Sequence, residues 1–198
     1  YLVRTLSMPA KYGVVSKAYI EPTKAQSISA GESQSVLDLY VLSYNVDNQL
    51  TTTSSALKQN IITYLSQYRM VNDTVTVRDA FIINIGVNFD ITVFANYNKR
   101  EVVLKCVQVV TNYFDINKWK MNQSINLSEL ELELANVDGV SSVPKVEIVN
   151  LADSTGETYS QYSYNIIEAT RNKIVYPSLD PSIFEIRYPN KDIKGRAL

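Results

Sequence analysis

Residues 83–93 read INIGVNFDITV, and this stretch decides the fold. Its odd positions, from Ile83 to Val93, are all apolar, whereas the even positions between them carry Asn, Gly, Asn, Asp and Thr. Successive side chains of a β-strand point to opposite faces of the sheet, so strict alternation is typical of a strand with one buried and one exposed face. We therefore expect a long strand here, with its apolar face on the core.

The period changes directly after this strand. Within Lys99–Phe114, apolar side chains recur at helical spacing and form one stripe: Val102, Val103, Cys106, Val110, Tyr113 and Phe114. The valines lower the helix propensity of this segment, but its polar residues recur every three to four positions, which favours an amphipathic helix. Cys106 lies on the apolar stripe, so we interpret it as a packing residue and not as a reactive thiol.

A second, shorter helix is predicted after it, although leucine and glutamate alternate in this segment, which alone would indicate a strand. Ser128 and Glu131 have the spacing of a capping box, and Leu127 and Leu132 occupy the positions of a hydrophobic staple. The apolar face of this helix consists of three residues: Leu130, Leu134 and Val137. We expect the Asp138-Gly139 pair to end the helix, because glycine tolerates a left-handed conformation.

Strands are predicted before this central region. Tyr12–Glu21 and Val36–Val46 both have extended patterns, and the second carries apolar residues on both faces, which indicates a central strand. The polar segment Pro22–Gly31 between them is predicted to be a loop. A helix is predicted over Ala56–Arg69, with four residues on its core face: Leu57, Ile61, Leu65 and Tyr68.

The C-terminal third returns to short extended pieces: Val143–Val149, Tyr162–Glu168, Lys173–Tyr176 and Ile183–Tyr188. Four prolines mark edges and turns, because proline cannot donate a ladder hydrogen bond: Pro144, Pro177, Pro181 and Pro189. The whole pattern predicts an α+β fold with mixed or antiparallel sheets, two to three amphipathic helices and β-rich ends. The predicted segments are 1–52, 53–141 and 142–198, the last of which would mediate oligomerisation.

The bulk composition argues against several classes of protein. With 198 residues, 45% hydrophobic and 20% charged, the chain has the composition of a globular protein. No apolar run approaches the roughly 18 residues of a membrane span, so we expect no membrane insertion. A net charge of −1 gives no general attraction to nucleic acid, and we interpret the basic segment Lys191–Arg196 as a solvated terminus rather than a nucleic-acid contact.

The sequence lacks the residues of common catalytic and metal sites. It contains no histidine and one cysteine, which removes the usual general base and thiolate zinc sites, and no glycine-rich phosphate motif occurs. Glu129, Glu131 and Glu133 crowd one segment, but the helix prediction places Glu129 and Glu133 on its outside, where solvated carboxylates are ordinary. We therefore expect no catalytic residue, no metal and no cofactor, and we predict that the protein is not an enzyme.

Tyrosine is unusually frequent, with fourteen residues in the chain. Five of them in the C-terminal third are candidate interface residues: Tyr159, Tyr162, Tyr164, Tyr176 and Tyr188. Tyrosine supplies a large apolar area with a polar tip and is enriched where proteins meet. The alternative is that these residues are half-buried strand residues, since β-sheets favour tyrosine.

Several small motifs follow one another in a distinctive order. They are Leu65 and Arg69, Val75, Val77 and Asp79, the strand of residues 83–93, Tyr113-Phe114, Trp119, Ile125, Leu127-Ser128-x-Leu130, and Val137-Asp138-Gly139-Val140 with Val143. With the start at Pro9–Ala18 and the end at Asp192–Leu198, this order resembles the J-like baseplate proteins of contractile-tailed phages, and within them the baseplate wedge proteins of T-even-type myophages. Ala80 departs from the proline of many members. Family members are considerably longer, so we expect this chain to be a C-terminal fragment.

The resemblance implies a structural component of the virion, in the tail baseplate, made and assembled in the host cytoplasm. Such a protein would form a homodimer and, with other baseplate wedge proteins, a ring around the tail hub. Two alternatives stay open on the sequence. A tail-associated, carboxylate-dependent glycosidase would need an acid and a base about 5 to 10 Å apart in a cleft, and a receptor- or sugar-binding module would present aromatic side chains around a pocket.

Overall fold

The computed structural model describes residues 1–23, 35–70 and 73–198. The chain divides into two compact units, Tyr1–Phe81 and Ile82–Leu198. Helices alternate with strands in both units, and the sheets contain parallel as well as antiparallel pairs. The fold is therefore α+β with mixed sheets, which confirms the prediction from the sequence. The division into segments 1–52, 53–141 and 142–198 stays a prediction.

The first unit is a mixed sheet built around one central strand. Its elements are α1 (Leu2–Leu6), a 3₁₀ turn (Ala10–Tyr12), β1 (Lys17–Pro22), β2 (Ser35–Tyr44), β3 (Leu50–Thr51), α2 (Ser55–Ser66) and β4 (Asp73–Asp79). Strand β2 pairs antiparallel with β1 and β3 and parallel with β4. This confirms that the strand with apolar residues on both faces is central. A parallel pair needs a crossover connection, and α2 lies in the one that links β2 to β4.

The start of the first strand differs from the prediction over Tyr12–Glu21. Strand β1 begins only at Lys17, because the 3₁₀ turn occupies Ala10–Tyr12 and Gly13 adopts a φ of +112°. That conformation is accessible to glycine and interrupts an extended chain. The loop predicted at Pro22–Gly31 lies largely outside the described residues.

Helix α2 is shorter than the predicted Ala56–Arg69. It ends at Ser66. Tyr64, inside the helix, is buried, whereas Tyr68 lies beyond the helix end with 43% of its surface exposed. The predicted core position at Tyr68 is therefore wrong; its ring instead packs against the Arg4 guanidinium, 4.6 Å from the ring centroid. The other predicted core positions lie in the apolar core, with Ile61 and Leu65 buried and Leu57 partly buried.

Asp79 at the end of β4 fastens the segment that leads into α2. One carboxylate oxygen accepts hydrogen bonds from the Thr53 amide at 3.0 Å and hydroxyl at 2.7 Å, and the other accepts one from Lys58 Nζ at 2.5 Å. Burial by itself would raise the pKa of Asp79, but the bonds from Lys58 and Thr53 outweigh it and leave the pKa below its ordinary value. Asp79, one of the residues that carry the family resemblance, is thus a structural anchor.

The second unit is organised by β5, whose first residue, Phe81, ends the first unit. Its elements are β5 (Phe81–Val93), α3 (Lys99–Tyr113), β6 (Ile125–Asn126), α4 (Leu127–Ala135), β7 (Val140–Asn150), α5 (Ile166–Ala169), β8 (Thr170–Arg171), β9 (Ile174–Val175), β10 (Ser182–Glu185), α6 (Pro189–Asp192) and β11 (Ile193–Ala197). Strand β5 pairs antiparallel with β7, parallel with β11 and also with β10. Strands β6, β9 and β8 form a separate small sheet. Helix α3 packs against β11 and α4 against β7.

The alternation of residues 83–93 is confirmed on one face of β5 and corrected on the other. The odd residues from Ile83 to Ile91 are all buried. Four residues of the predicted α3 stripe, Val102, Cys106, Val110 and Phe114, are buried, whereas Val103 and Tyr113 are half-buried. On the even face, however, Asn84 and Gly86 are also buried. Residues 151–165 cross this half of the face, whereas Asn88 and Asp90 further along remain partly exposed.

The start of α4 corrects the predicted capping box. The N-cap is Asn126, whose side chain accepts hydrogen bonds from the Ser128 and Glu129 amides, so Ser128 already lies inside the helix. Leu132 is 62% exposed and makes no hydrophobic staple with Leu127. The helix itself, with Leu130 and Leu134 buried, is confirmed.

Two predictions near the C-terminus are also wrong. The strand expected over Tyr162–Glu168 is a loop followed by the short helix α5, because the Asn165 side chain caps the Glu168 amide. The basic segment Lys191–Arg196 is not a solvated terminus, because it enters α6 and β11 and pairs with the central strand. Only the Lys194 and Arg196 side chains of β11 reach solvent as cations.

Candidate interaction surfaces

Two of the predicted interface tyrosines, Tyr159 and Tyr188, pack together. Their rings meet edge to face with centroids 5.9 Å apart. The Tyr159 hydroxyl donates to Asp192 Oδ1 at 2.6 Å, and the Tyr188 amide donates to Asp192 Oδ2 at 2.8 Å. Burial, followed by the bond to Asp192, raises the pKa of Tyr159 to about 12. Tyr159 therefore fastens residues 151–165 to α6, while one edge of Tyr188 stays exposed.

Tyr164 and Tyr176 form a second contact. The Tyr164 hydroxyl donates to the Tyr176 carbonyl at 2.8 Å, and the Tyr164 amide donates to Asn150 Oδ1 at 3.0 Å. Tyr164 is half-buried, whereas Tyr162 and Tyr176 each expose nearly half of their surface. The structure thus places four of the five tyrosines in two pairs, Tyr159 with Tyr188 and Tyr164 with Tyr176. The role of these residues as an interface stays a prediction.

Two apolar side chains beside these tyrosines are more exposed than any of them. Ile167 on α5 is 86% exposed and Leu179 in the loop before β10 is 93% exposed. The Tyr176 amide donates to the Ala169 carbonyl, which holds the α5 segment against the strand that precedes the Leu179 loop. The sequence analysis missed both residues, since neither belongs to a periodic apolar pattern. A contiguous exposed apolar patch is typical of a docking surface, whereas single exposed apolar side chains are common on any protein.

A polar face of the sheet lies beyond the half that residues 151–165 cover. Strands β11, β5 and β7 line a shallow groove of about 270 Å³. Its walls and floor carry six polar side chains: Asn88, Asp90, Lys145, Glu147, Lys194 and Arg196. The strand registers align them in two rows across the sheet, Lys194–Asn88–Glu147 and Arg196–Asp90–Lys145. Residue spacing alone could not reveal these rows, because β11 pairs with β5 from a hundred residues away.

Ion pairs already satisfy most of the charge in this groove. Arg196 grips Asp90 with two bonds, Nε to Oδ1 and Nη2 to Oδ2, both of 3.1 Å. Lys145 Nζ lies 2.8 Å from Glu147 Oε2, and this bond raises the pKa of Lys145 above its ordinary value. Opposite charges placed next to each other hold side chains in place but add little stability at an exposed site. The groove can therefore present an ordered pattern of both signs to a partner.

The groove contains two carboxylates, Asp90 and Glu147, and each of them is ion-paired. Glu129 and Glu133 lie outside on α4 as predicted, and Glu131 pairs with Lys173 at 2.6 Å. The two buried carboxylates, Glu185 and Asp192, accept internal hydrogen bonds and do not line the groove. Across the described ranges, no group of three or more Cys, Asp or Glu side chains could hold a metal ion.

None of the helices in the described part of the chain combines the length and the apolar character needed to cross a membrane.

Comparisons with known proteins give distant matches among solved structures only. No protein-family model matches the chain, and no curated protein matches it. Among solved structures, the chain is similar to one chain in the cryo-electron microscopy structure of the anti-feeding prophage baseplate, with 16% identity and a TM-score of 0.44. The match covers 66% of this chain and 29% of the other, so the chain spans less than a third of that protein's length. A TM-score below 0.5 assigns neither fold nor function.

Proposed function

We propose that this chain is a structural component of a contractile phage tail baseplate wedge. It would join copies of itself and neighbouring wedge proteins into a ring around the tail hub, without catalytic turnover. The observation that carries the proposal is the ordered set of motifs that resembles J-like baseplate proteins. These motifs follow the chain from the end of α2 through β4, β5, α3 and α4 to the start of β7.

Many of the residues that carry the resemblance occupy core positions of the second unit. They include the odd residues of β5 from Ile83 to Ile91 and, beyond that strand, five apolar side chains: Phe114, Trp119, Ile125, Leu130 and Val140. The Phe114 and Trp119 rings pack with centroids 5.1 Å apart, and Gly139 takes a φ of +98° between α4 and β7. A pattern of core residues constrains how a chain folds, so the resemblance supports a shared architecture.

The surface of the second unit supports a docking role. Ile167, Tyr176 and Leu179 expose apolar area, and the groove over β11, β5 and β7 carries charges of both signs. Protein interfaces combine such apolar anchors with a polar surround. In a ring, each subunit needs two different self-contact surfaces, or one self-contact and one partner contact.

Self-association of the purified 198-residue chain is the first test. We expect sedimentation velocity to show a dimer at micromolar concentration, because a ring subunit must bind its own kind. A chain that remains monomeric at several hundred micromolar would contradict the self-joining role.

Location in the particle is the second test. Antibody fragments raised against this chain should label the baseplate end of tails from the phage that encodes it. Antibodies against a capsid protein of the same particles are the control for labelling. Particles that carry capsid label but no tail label would contradict a baseplate role.

A further inference from the structure

Strand β7 leaves one backbone edge of the main sheet unpaired. It is 11 residues long and pairs only with β5 in the described part of the chain. The Leu151 amide donates to the Asn84 carbonyl at 2.9 Å, and the register runs unbroken from Ile85 opposite Asn150 to Asp90 opposite Lys145. In an antiparallel ladder, hydrogen-bonded pairs alternate with non-bonded ones. The backbone groups of Lys145 and Glu147 therefore point toward β5.

The backbone groups of the residues between them point outward. The N–H and C=O of Val146 and Ile148 face away from β5, and no hydrogen bond reaches them within the described residues. Pro144 offers only its carbonyl on the same edge, and the register shift beyond Lys145 ends the regular ladder there. The usable edge is thus the short segment from Pro144 to Ile148.

The charges on this edge are self-complementary. Lys145 and Glu147 lie on the open face, with side chains 60% and 48% exposed. If two copies of β7 pair antiparallel about a twofold axis at Val146, Lys145 of each copy lies opposite Glu147 of the other. Residues directly opposite in such a pair have Cβ atoms about 5 Å apart, close enough for an ion pair.

Other centres of symmetry on this edge fit less well. An axis at Lys145 or Glu147 would place like charges opposite each other, which is destabilising. An axis at Pro144 would require an N–H that proline lacks. An axis at Ile148 would place Glu147 opposite Val149, without a charge partner. The sequence of this short edge therefore selects Val146.

We propose that two copies of this chain associate by pairing their β7 strands antiparallel about a twofold axis at Val146. Reciprocal hydrogen bonds join Val146 to its symmetry mate, and each Ile148 amide donates to the partner's Pro144 carbonyl. The two four-stranded sheets then become one continuous sheet. The proposal rests on the self-association in the proposed function and names its surface.

A charge-reversal pair tests this register. Lys145→Glu puts carboxylates at both charged positions of the edge, and Glu147→Lys puts ammonium groups at both. Each variant alone should dimerise at least about tenfold more weakly than the wild type, because like charges then face each other across the axis. An equimolar mixture should regain wild-type affinity, since every carboxylate then faces an ammonium group.

The matched control is Lys120→Glu, which reverses an exposed lysine outside β7. It should leave the dimer unchanged, and the Trp119 fluorescence of all variants should match that of the wild type. Amide exchange provides a second readout, since Val146 and Ile148 should be protected only when the chain is dimeric.

The outcomes separate the two proposals. The edge pairing would be overturned if neither single variant weakened the wild-type dimer. It would also be overturned if the weakened dimerisation of the variants did not recover on mixing. In both cases self-association of the wild type would still stand. A wild-type chain that never dimerises would overturn both the edge pairing and the self-joining role.

Discussion

Replacing the buried Asn84 by alanine should destabilise the second unit far more than its small change in volume suggests. Asn84 is fully buried in β5. Its Nδ2 donates to Glu185 Oε2 at 2.8 Å, and its Oδ1 accepts the Ser160 amide at 2.7 Å. One side chain therefore joins the central strand to β10 and to the segment of residues 151–165.

The expected loss follows from these two bonds. A hydrogen bond to a charged group contributes about 1.5–3 kcal/mol, and a buried donor left without its acceptor costs about 1–3 kcal/mol. Asn84→Ala removes the bond to Glu185 and leaves the Ser160 amide without its acceptor. We therefore expect the free energy of unfolding to fall by about 3–5 kcal/mol. Domains are stable by only about 5–15 kcal/mol, so this loss takes a large share.

Chemical unfolding followed by tryptophan fluorescence isolates this unit. Trp119 is the only tryptophan of the sequence and lies buried within Ile82–Leu198. The matched control is Asn88→Ala, on the same strand and the same face but partly exposed, which should change the free energy of unfolding by less than about 0.5 kcal/mol. Equal effects of the two substitutions, or a loss below about 1 kcal/mol for Asn84→Ala, would refute the reasoning.

Three further substitutions have defined outcomes. Because the pKa of Tyr159 is raised to about 12, chiefly by burial, its contribution to stability is complete below pH 10 and is lost as the pH rises toward 12. In Tyr159→Phe, the free energy of unfolding, followed by fluorescence, should fall less between pH 10 and 12 than in the wild type. Identical pH profiles of the two proteins would contradict the assignment. Asp79→Ala should destabilise the first unit by about 1–2 kcal/mol through its lost hydrogen bonds, seen in calorimetry but not in tryptophan fluorescence, whereas the exposed Asp47→Ala should have no effect. Gly195→Ala would place a methyl group 2.4 Å from the Phe89 ring, so we expect fluorescence-monitored unfolding to show a loss of about 1–3 kcal/mol; an unchanged midpoint would show that the ring moves aside freely.

The candidate surfaces were only partly visible in the sequence. Tyrosine frequency drew attention to Tyr176 and Tyr188, but it could not separate them from Tyr159, whose hydroxyl binds Asp192. Which backbone groups of β7 point outward depends on which of its residues bond to β5. That pairing joins residues about sixty positions apart in the chain, so the local sequence does not reveal it. Lys145 and Glu147 are unremarkable as a pair in the sequence. Their proposed role in pairing two chains follows only from their positions on the edge of β7.

Local periodicity by itself determined the long strand of β5, the amphipathic helices α2 and α3 and the α+β class, because backbone geometry ties each side chain to a face within a few residues. Tertiary contacts decided the rest. Asn84 lies in the core because residues 151–165 return over half of β5, and Asn126 caps α4 in place of Ser128 because the Leu127 amide is drawn to the Lys173 carbonyl. The segment Ile193–Ala197 is a strand in the sheet rather than a solvated terminus, because it pairs with β5 and its Gly195 lies against the Phe89 ring. Such choices are made between residues far apart in the chain, where no pattern of neighbours carries the information.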